Sequence, residues 1–339
     1  MKSRGKFFPE MNLLRRNETF PLRRWDPNGH KIQASTGIRL SMLTKFVALY
    51  FSEKASGQYL ITNEDLLDKI VTAAGVRPSD TVLELGSGSG AVTSRLLPVA
   101  RKVYVSESDA MLSHETLARA EGEGYTNIEG LRGDALTCDW PQFDVCISNL
   151  PFSMSAPILF RLIRHRPLWR SVVMILQREF ADALIAEPGE RNYSRLSMNA
   201  SVFVRSERVH RINGACFYPV PPVESAVVRL TPRVPPPVFD FAEFNELTKV
   251  AFIEKRRGLK TVFKRPFVQK MLETNYKKYC SFHRIATSPS PFPEYLKGVI
   301  ESTGLGEVPV KQLPPEAMEQ LLSRLNEAGI FFSSIGAAV

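Results

Sequence analysis

Cysteine is scarce in this 339-residue chain: Cys138, Cys146, Cys216 and Cys280 are scattered, with no Cys-x-x-Cys spacing and no histidine pair beside them. That pattern argues against a disulfide framework and a zinc site, so no metal is expected, and it suits a reducing compartment. No apolar run reaches membrane length. The strongest, Ser41 to Phe51, is short and carries Lys45, so it reads as a packed helix and no membrane partner is expected. The first ten residues are polar and no apolar core with a small-residue cleavage site follows, so a secretory signal is not expected. No internal repeat is visible either.

What the chain does have is positive charge in one place. Residues 1–50 hold ten Lys/Arg against three Asp/Glu, so they account for +7 of the net +9. A basic arm of this kind suits a polyanion, nucleic acid being the usual one, although a solvated tail has the same composition. The Arg-rich start also resembles a mitochondrial transit peptide, except that such peptides are poor in acids and this one holds Glu10, Glu18 and Asp26. Hydrophobic residues at 44% and charged residues at 23% are ordinary globular values, and the length suits two domains.

From about residue 60 helical and extended patterns alternate. Glu64 to Ala74 has helical periodicity, with Thr62 or Asn63 as N-cap, and Ala91 to Val99 and Ala156 to His165 are the next predicted helices. Strands are predicted at 81–85, 102–106, 128–132, 144–148 and 171–176. This βαβ rhythm implies an α/β fold, an open and mostly parallel Rossmann-like sheet with helices on both faces. The run 225–230 reads as an edge or antiparallel strand. A Pro-rich linker at 232–238 follows, and beyond it the patterns are helical: 241–252, 257–263, 268–276, 295–302 and 315–328. The expected organisation is a basic extension over 1–50, an α/β domain over 51–231 and a small helical domain over 239–339.

Two motifs carry chemistry. Glu84-Leu85-Gly86-Ser87-Gly88-Ser89-Gly90 joins a strand to a helix, where glycines allow close backbone approach to a ligand. By itself this loop also fits a dinucleotide site, and Glu107 at the next strand end suits a ribose diol in either case. Asp134 ends a third strand, placed to accept a bond from an adenine amino group. The second motif, Asn149-Leu150-Pro151-Phe152, follows the hydrophobic run 143–148. The lone pair of an exocyclic amine on a planar base is delocalised into the ring and is a poor nucleophile. An Asn side-chain oxygen and the Leu150 carbonyl can accept its two N–H bonds and favour a pyramidal nitrogen. Pro151 stiffens the turn and Phe152 offers a face for the base; the plainer reading is a strand-to-loop turn. The acids at three successive strand ends, followed by this tetrapeptide, favour S-adenosylmethionine (AdoMet) over a nicotinamide cofactor.

These segments, in this order, resemble the KsgA-like rRNA adenine N6,N6-dimethyltransferases, the eukaryotic type most of all. The resemblance runs from about Ser56 to Ser333. Besides the motifs above it takes in Gly57 to Leu60, Glu107-Ser108-Asp109, Gln177 to Ala181, Ser194 to Ser197, Phe217 to Ser225 and the tail Asn326 to Ser333. It implies a class I methyltransferase fold with a C-terminal helical rRNA-binding domain, and dimethylation of adjacent adenines near the 3′ end of small-subunit rRNA, coupled to subunit assembly. Gln58, Leu60, Gly86, Gly88, Gly90, Glu107, Asp134 and Asn149 would then hold AdoMet. Asn149, Leu150, Pro151 and Phe152 would carry catalysis, with the flipped base between Phe152 and Phe217. Lys255, Arg256 and Arg257 would track rRNA phosphates. The implied partners are small-subunit rRNA and the immature particle with its assembly factors, met by a monomer. Gln177-Arg178-Glu179 reads as structural, an ion-paired strand end.

Three positions depart from the family pattern: Ser87 stands where proline is usual, Tyr59 where His or Asn is usual, and Phe152 where tyrosine is commoner. Phe152 and the basic extension suggest a mitochondrial member of the branch that includes transcription factor B. The tail suggests the nucleolar type, so nucleolus or cytoplasm is the alternative location. Ser87 and Tyr59 leave open a different class, an assembly factor that keeps the fold without methylating. Kinship of fold leaves a third, a mitochondrial transcription factor.

Overall fold

In the computed structural model the described residues are 59–332, together with two short paired strands, Arg23–Trp25 and Lys31–Gln33, earlier in the chain. Gln58 lies outside them. The centre of the fold is a seven-stranded sheet: β1 (Thr81–Leu85), β2 (Lys102–Ser106), β3 (Ile128–Leu131), β4 (Val145–Ser148), β5 (Ser171–Gln177), β6 (Val204–Ile212) and β7 (Ser225–Pro232). Its order is β3-β2-β1-β4-β5-β7-β6, parallel through β5, with β7 antiparallel to both neighbours. All residues of β1 and β4 are buried, as expected of central parallel strands covered on both faces.

Alternate strand residues feed two cores. Val82, Val103, Val145, Ile147 and Val173 meet helix α1 (Glu64–Ala74) through Leu66, Leu67 and Ile70. Asn63 caps that helix, its side chain accepting from the Leu66 N–H at 2.8 Å. Leu83, Cys146, Val172 and Val228 face the other side. Between β1 and β2 the predicted helix over 91–99 shrinks to α2 (Thr93–Leu96) flanked by single turns. Pro98 accounts for this, since it has no N–H to donate and its ring crowds the carbonyl four residues back. Then come α3 (Ala110–Gly122), α4 (Ser155–Arg164), α5 (Arg178–Leu184) and α6 (Arg195–Ser201).

The run 225–230 is antiparallel, as expected, but it is interior; the edge belongs to β6, which sequence reading passed over. In Val204–Ile212 the apolar residues sit mainly at the ends and charged ones fill the middle, so no period-2 apolar signal appears. Arg178 supports the structural reading of its segment: its guanidinium reaches Glu224 at 2.5 Å and Glu179 at 3.7 Å.

The C-terminal helices are α7 (Phe241–Ala251), α8 (Leu259–Phe263), α9 (Pro266–His283), α10 (Phe292–Ser302) and α11 (Pro315–Glu327). Their core is continuous with that of the sheet, running from Leu83 and Val172 through Phe244 and Leu247 to Leu321 and Leu325. The Pro-rich stretch therefore divides sheet from helices in sequence and not in packing, and the described residues 59–332 belong to one compact unit. Buried polar groups bridge the junction. Thr248 donates to Asn199 Oδ1 at 2.7 Å, Asn199 donates to Asn245 Oδ1 at 2.8 Å, and the Tyr193 hydroxyl donates to the Leu313 carbonyl at 2.9 Å. The tail is clasped as well: the Phe332 N–H donates to Glu243 Oε1 at 2.5 Å, and the Asn275 amide to the Phe331 and Phe332 carbonyls.

Tyr193→Phe keeps the ring and removes a donor, leaving a buried carbonyl without its partner. It is expected to cost ~1–3 kcal/mol, read as a lower urea midpoint with unchanged slope.

Candidate active site

The strand order reverses between β1 and β4, and a crevice at the carboxyl ends of strands beside such a reversal is where open α/β sheets bind ligands. Register aligns the ends. Leu85 pairs with both Ser106 and Ser148, and Ser106 pairs with Leu131. Gly86, Glu107, Asn149 and Gly133-Asp134 therefore all leave the sheet along one edge.

At the centre of that edge there is no room for a side chain. Gly86 has φ +78°, and a Cβ there would lie 2.4 Å from the Asn149 carbonyl oxygen and 3.0 Å from Leu150 Cδ2. The Asn149 N–H donates to the Leu85 carbonyl at 2.9 Å, and the Gly86 N–H to the Ser106 carbonyl at 2.8 Å. A Cβ on Gly88 would lie 2.8 Å from Leu60 Cδ2, and one on Gly90 would meet Arg119. The Arg119 guanidinium donates to the Ser89 carbonyl at 2.7 Å, holding the loop from α3. Glu107, 8% exposed, closes the loop from the other side: Oε2 accepts the Gly88 N–H at 2.9 Å and Oε1 the Asp109 N–H at 3.0 Å. A glycine cradle with a buried carboxylate directed at it is the donor set that a nucleoside cofactor with a ribose diol requires, so the residues fit AdoMet. Ser87 is buried, and its hydroxyl has no protein partner.

The tetrapeptide stands against this cradle. Pro151 (φ −49°) leads into a 3₁₀ turn, Phe152–Met154, which runs directly into α4. The half-buried Phe152 ring lies 6.0 Å from that of Tyr59 at an interplanar angle of 30°. Leu60 and Ile61 pair antiparallel with Tyr218 and Phe217, and the Thr62 N–H donates to the Cys216 carbonyl at 2.9 Å. Residues far apart in sequence thus close one side of the crevice.

Two expected roles meet a different placement. Phe217, expected as an open stacking wall, is 4% exposed and belongs to the α1-side core with Ile61 and Val227. Pairing beside Ile61 turns the ring inward, and it is the neighbouring Tyr218, 47% exposed, that reaches the surface. Lys255, expected on phosphate, donates to the Tyr193 carbonyl at 2.7 Å, while Arg256 and Arg257 are exposed. Asp134 is exposed at the crevice edge, and its Oδ1 caps its own turn by accepting the Leu136 N–H at 2.7 Å. Sequence reading missed Thr93 and Arg119, which support the loop. Neither lies in a recognisable motif, and only the folded chain brings them there. Among the described residues no group of three His, Cys, Asp or Glu is placed to hold a metal ion, and no helix is long and apolar enough to cross a membrane.

Glu84, 2% exposed, lies beneath the loop and accepts a bond from the Thr93 hydroxyl at 2.6 Å. Burial raises its carboxyl to about 7, with the negative charge of Glu107 adding and the Thr93 bond and Arg119 opposing. The folded chain thus keeps a proton that the unfolded chain gives up near 4.5. Stability is therefore greatest below that pH and falls as pH rises towards about 7, where the loss is complete. Glu84→Gln is expected to flatten this slope, an effect on the order of a few kcal/mol, measured by urea unfolding across the window.

The Ribosomal RNA adenine dimethylase family model matches residues 51–286. A probable dimethyladenosine transferase of Caenorhabditis elegans is 37% identical over 82% of this chain and 91% of its own length. The dimethyladenosine transferase of Schizosaccharomyces pombe is 33% identical over 83% and 92%. A dimethyladenosine transferase from Plasmodium falciparum superposes with a TM-score of 0.79 at 38% identity, covering 81% of this chain and all of that one. The 23S rRNA methyltransferase ErmE, at 23% identity and a TM-score of 0.57, shares the fold. The family model spans more than half of the chain and these relatives cover most of it, so the chain belongs to the ribosomal RNA adenine dimethylase family.

Proposed function

We propose that this protein dimethylates N6 of adjacent adenines near the 3′ end of small-subunit rRNA, using AdoMet, within an immature small ribosomal particle. The observation that carries the reading is the backbone contact between Gly86 and Asn149, which sets the target-amine tetrapeptide beside the cofactor cradle. Gly86, Gly88 and Gly90 would admit the cofactor, Glu107 would take its ribose, Asp134 its adenine, and Leu60 would close the loop. When bound, AdoMet supplies a methyl carbon activated by a positively charged sulfur.

The rest is positioning. Asn149 Oδ1 and the Leu150 carbonyl would accept the two N–H bonds of the adenine amine and turn its lone pair out of conjugation. Phe152 would stack on the flipped base, offsetting part of the few kcal/mol that extrusion costs. Pro151 holds the turn, and Arg256 and Arg257 would meet phosphates. Ser87 and Tyr59, two of the three departures from the family pattern, favour the second reading, an assembly factor that binds without methylating.

Asn149→Ala is expected to lower methyl transfer to immature small-subunit particles ~10²-fold or more, as loss of a preorganised transition-state partner does, with AdoMet affinity retained. Mass spectrometry of the rRNA reads the product. Full activity in the variant would sink the assigned role, and particle binding by the wild type without any methylation would leave the scaffold reading. The basic extension and Phe152 favour a mitochondrial location over a nucleolar one, and imaging of a C-terminally tagged full chain distinguishes them.

A further inference from the structure

We propose that Arg161 is a positioning residue that locks the adenine-side loop, residues 133–140, to the helix descending from the base-gripping tetrapeptide. The proposal rests on the reading of Asp134 as the residue that takes the cofactor's adenine.

Arg161 lies on α4, the helix entered directly from Phe152. Its Nη1 donates to the Ala135 carbonyl at 2.5 Å and its Nη2 to the Cys138 carbonyl at 2.5 Å. The guanidinium carbon also lies 3.9 Å from the centroid of the Trp140 ring. One planar fork thus holds three points of one loop, with bonds strengthened by the donor's charge. The rest of the loop's support is its own turn and packing: Ala135 and Cys138 are buried, and the Trp140 ring lies 6.2 Å from that of Phe143 and 6.0 Å from that of His165. The Asp134 carbonyl accepts from the Thr137 and Cys138 N–H groups, its carboxylate caps Leu136, and Cys138 Sγ makes a long contact of 3.8 Å with Ser106 Oγ. Gly133, at φ +101°, gives it a pivot where it leaves β3.

The other end of the linkage is rigid. Ile158, Leu159 and Leu162 bury α4 against the sheet, so the helix keeps a fixed relation to Asn149 and Phe152. Arg161 extends that fixed frame to a loop whose other polar bonds lie mostly within its own turn. A loop free to swing about Gly133 would carry Asp134 with it, and each cofactor binding event would have to order it. In a merely stabilising role, Arg161 would affect unfolding and leave the ligand equilibrium alone. As a positioning residue it acts on the cofactor through Asp134.

The test is a double-mutant cycle on the full chain, with S-adenosylhomocysteine as probe in titration calorimetry and methyl transfer to rRNA as the second readout. Arg161→Ala is expected to weaken probe binding ~10-fold or more while kcat at saturating AdoMet stays within ~3-fold, a split that marks lost ground-state organisation. Arg161→Lys, which can reach one carbonyl at a time, is expected to fall between, and Trp140→Leu to shift affinity in the same direction by less. Arg161→Lys keeps a long side chain and serves if the alanine variant does not fold. Combined with Asp134→Ala, the effects are expected to fall well short of multiplying, because the two residues act through one contact. Unchanged affinity in the Arg161 variants beside a weakened Asp134→Ala would overturn the role of Arg161 and leave the adenine reading standing. Unchanged affinity in Asp134→Ala would remove that reading, and the clamp with it.

Discussion

The backbone of one strand end touches the backbone of another, and the chemistry of this protein depends on that closeness. β1 and β4 are neighbours at the point where the sheet reverses its order, so Leu85 and Asn149 share a hydrogen bond and Gly86 lies under the Asn149 carbonyl. On the proposed reading, a methyl donor in the glycine cradle and an amine on the tetrapeptide would be brought together by strand pairing alone. Such precision is cheapest to build where both partners are anchored in a buried sheet. The fully buried residues of β1 and β4 are the anchor.

Around that contact the supporting groups are graded by burial. Glu107 is buried and bonded to the loop it serves. Glu84, deeper, is pushed towards neutrality by the loss of water. Asp134, at the rim, is exposed and capped by its own turn. The three acids thus differ in exposure because the sheet edge passes from the interior to the surface. The C-terminal helices extend the same interior, joined through Thr248, Asn199 and Tyr193.

Much of this was legible in the sequence, for reasons that particular residues make plain. β1, β4 and β5 are apolar because both their faces are covered, and the glycines stand out because no other residue fits beside Asn149. What failed to show was what depends on contact between distant segments. β6 carries its charges in mid-strand and looks like a loop. Pro98 shortens a helix that periodicity alone extends. The inward turn of Phe217 follows from its pairing with Ile61, and Arg119 and Arg161 matter only through the loops they meet in space. The tetrapeptide stood out in the sequence, whereas the groups that hold it in place did not.

The side of the crevice closed by Leu60–Ile61 and Phe217–Tyr218 is joined by two residue pairs and two flanking bonds from Thr62 to the Cys216 carbonyl, between segments more than 150 residues apart in the chain. Beside it the sheet is held by ladders of four to eight pairs. The crevice thus has a floor built on long strand ladders and one side built on two residue pairs, which the buried Ile61 and Phe217 side chains pin to the core.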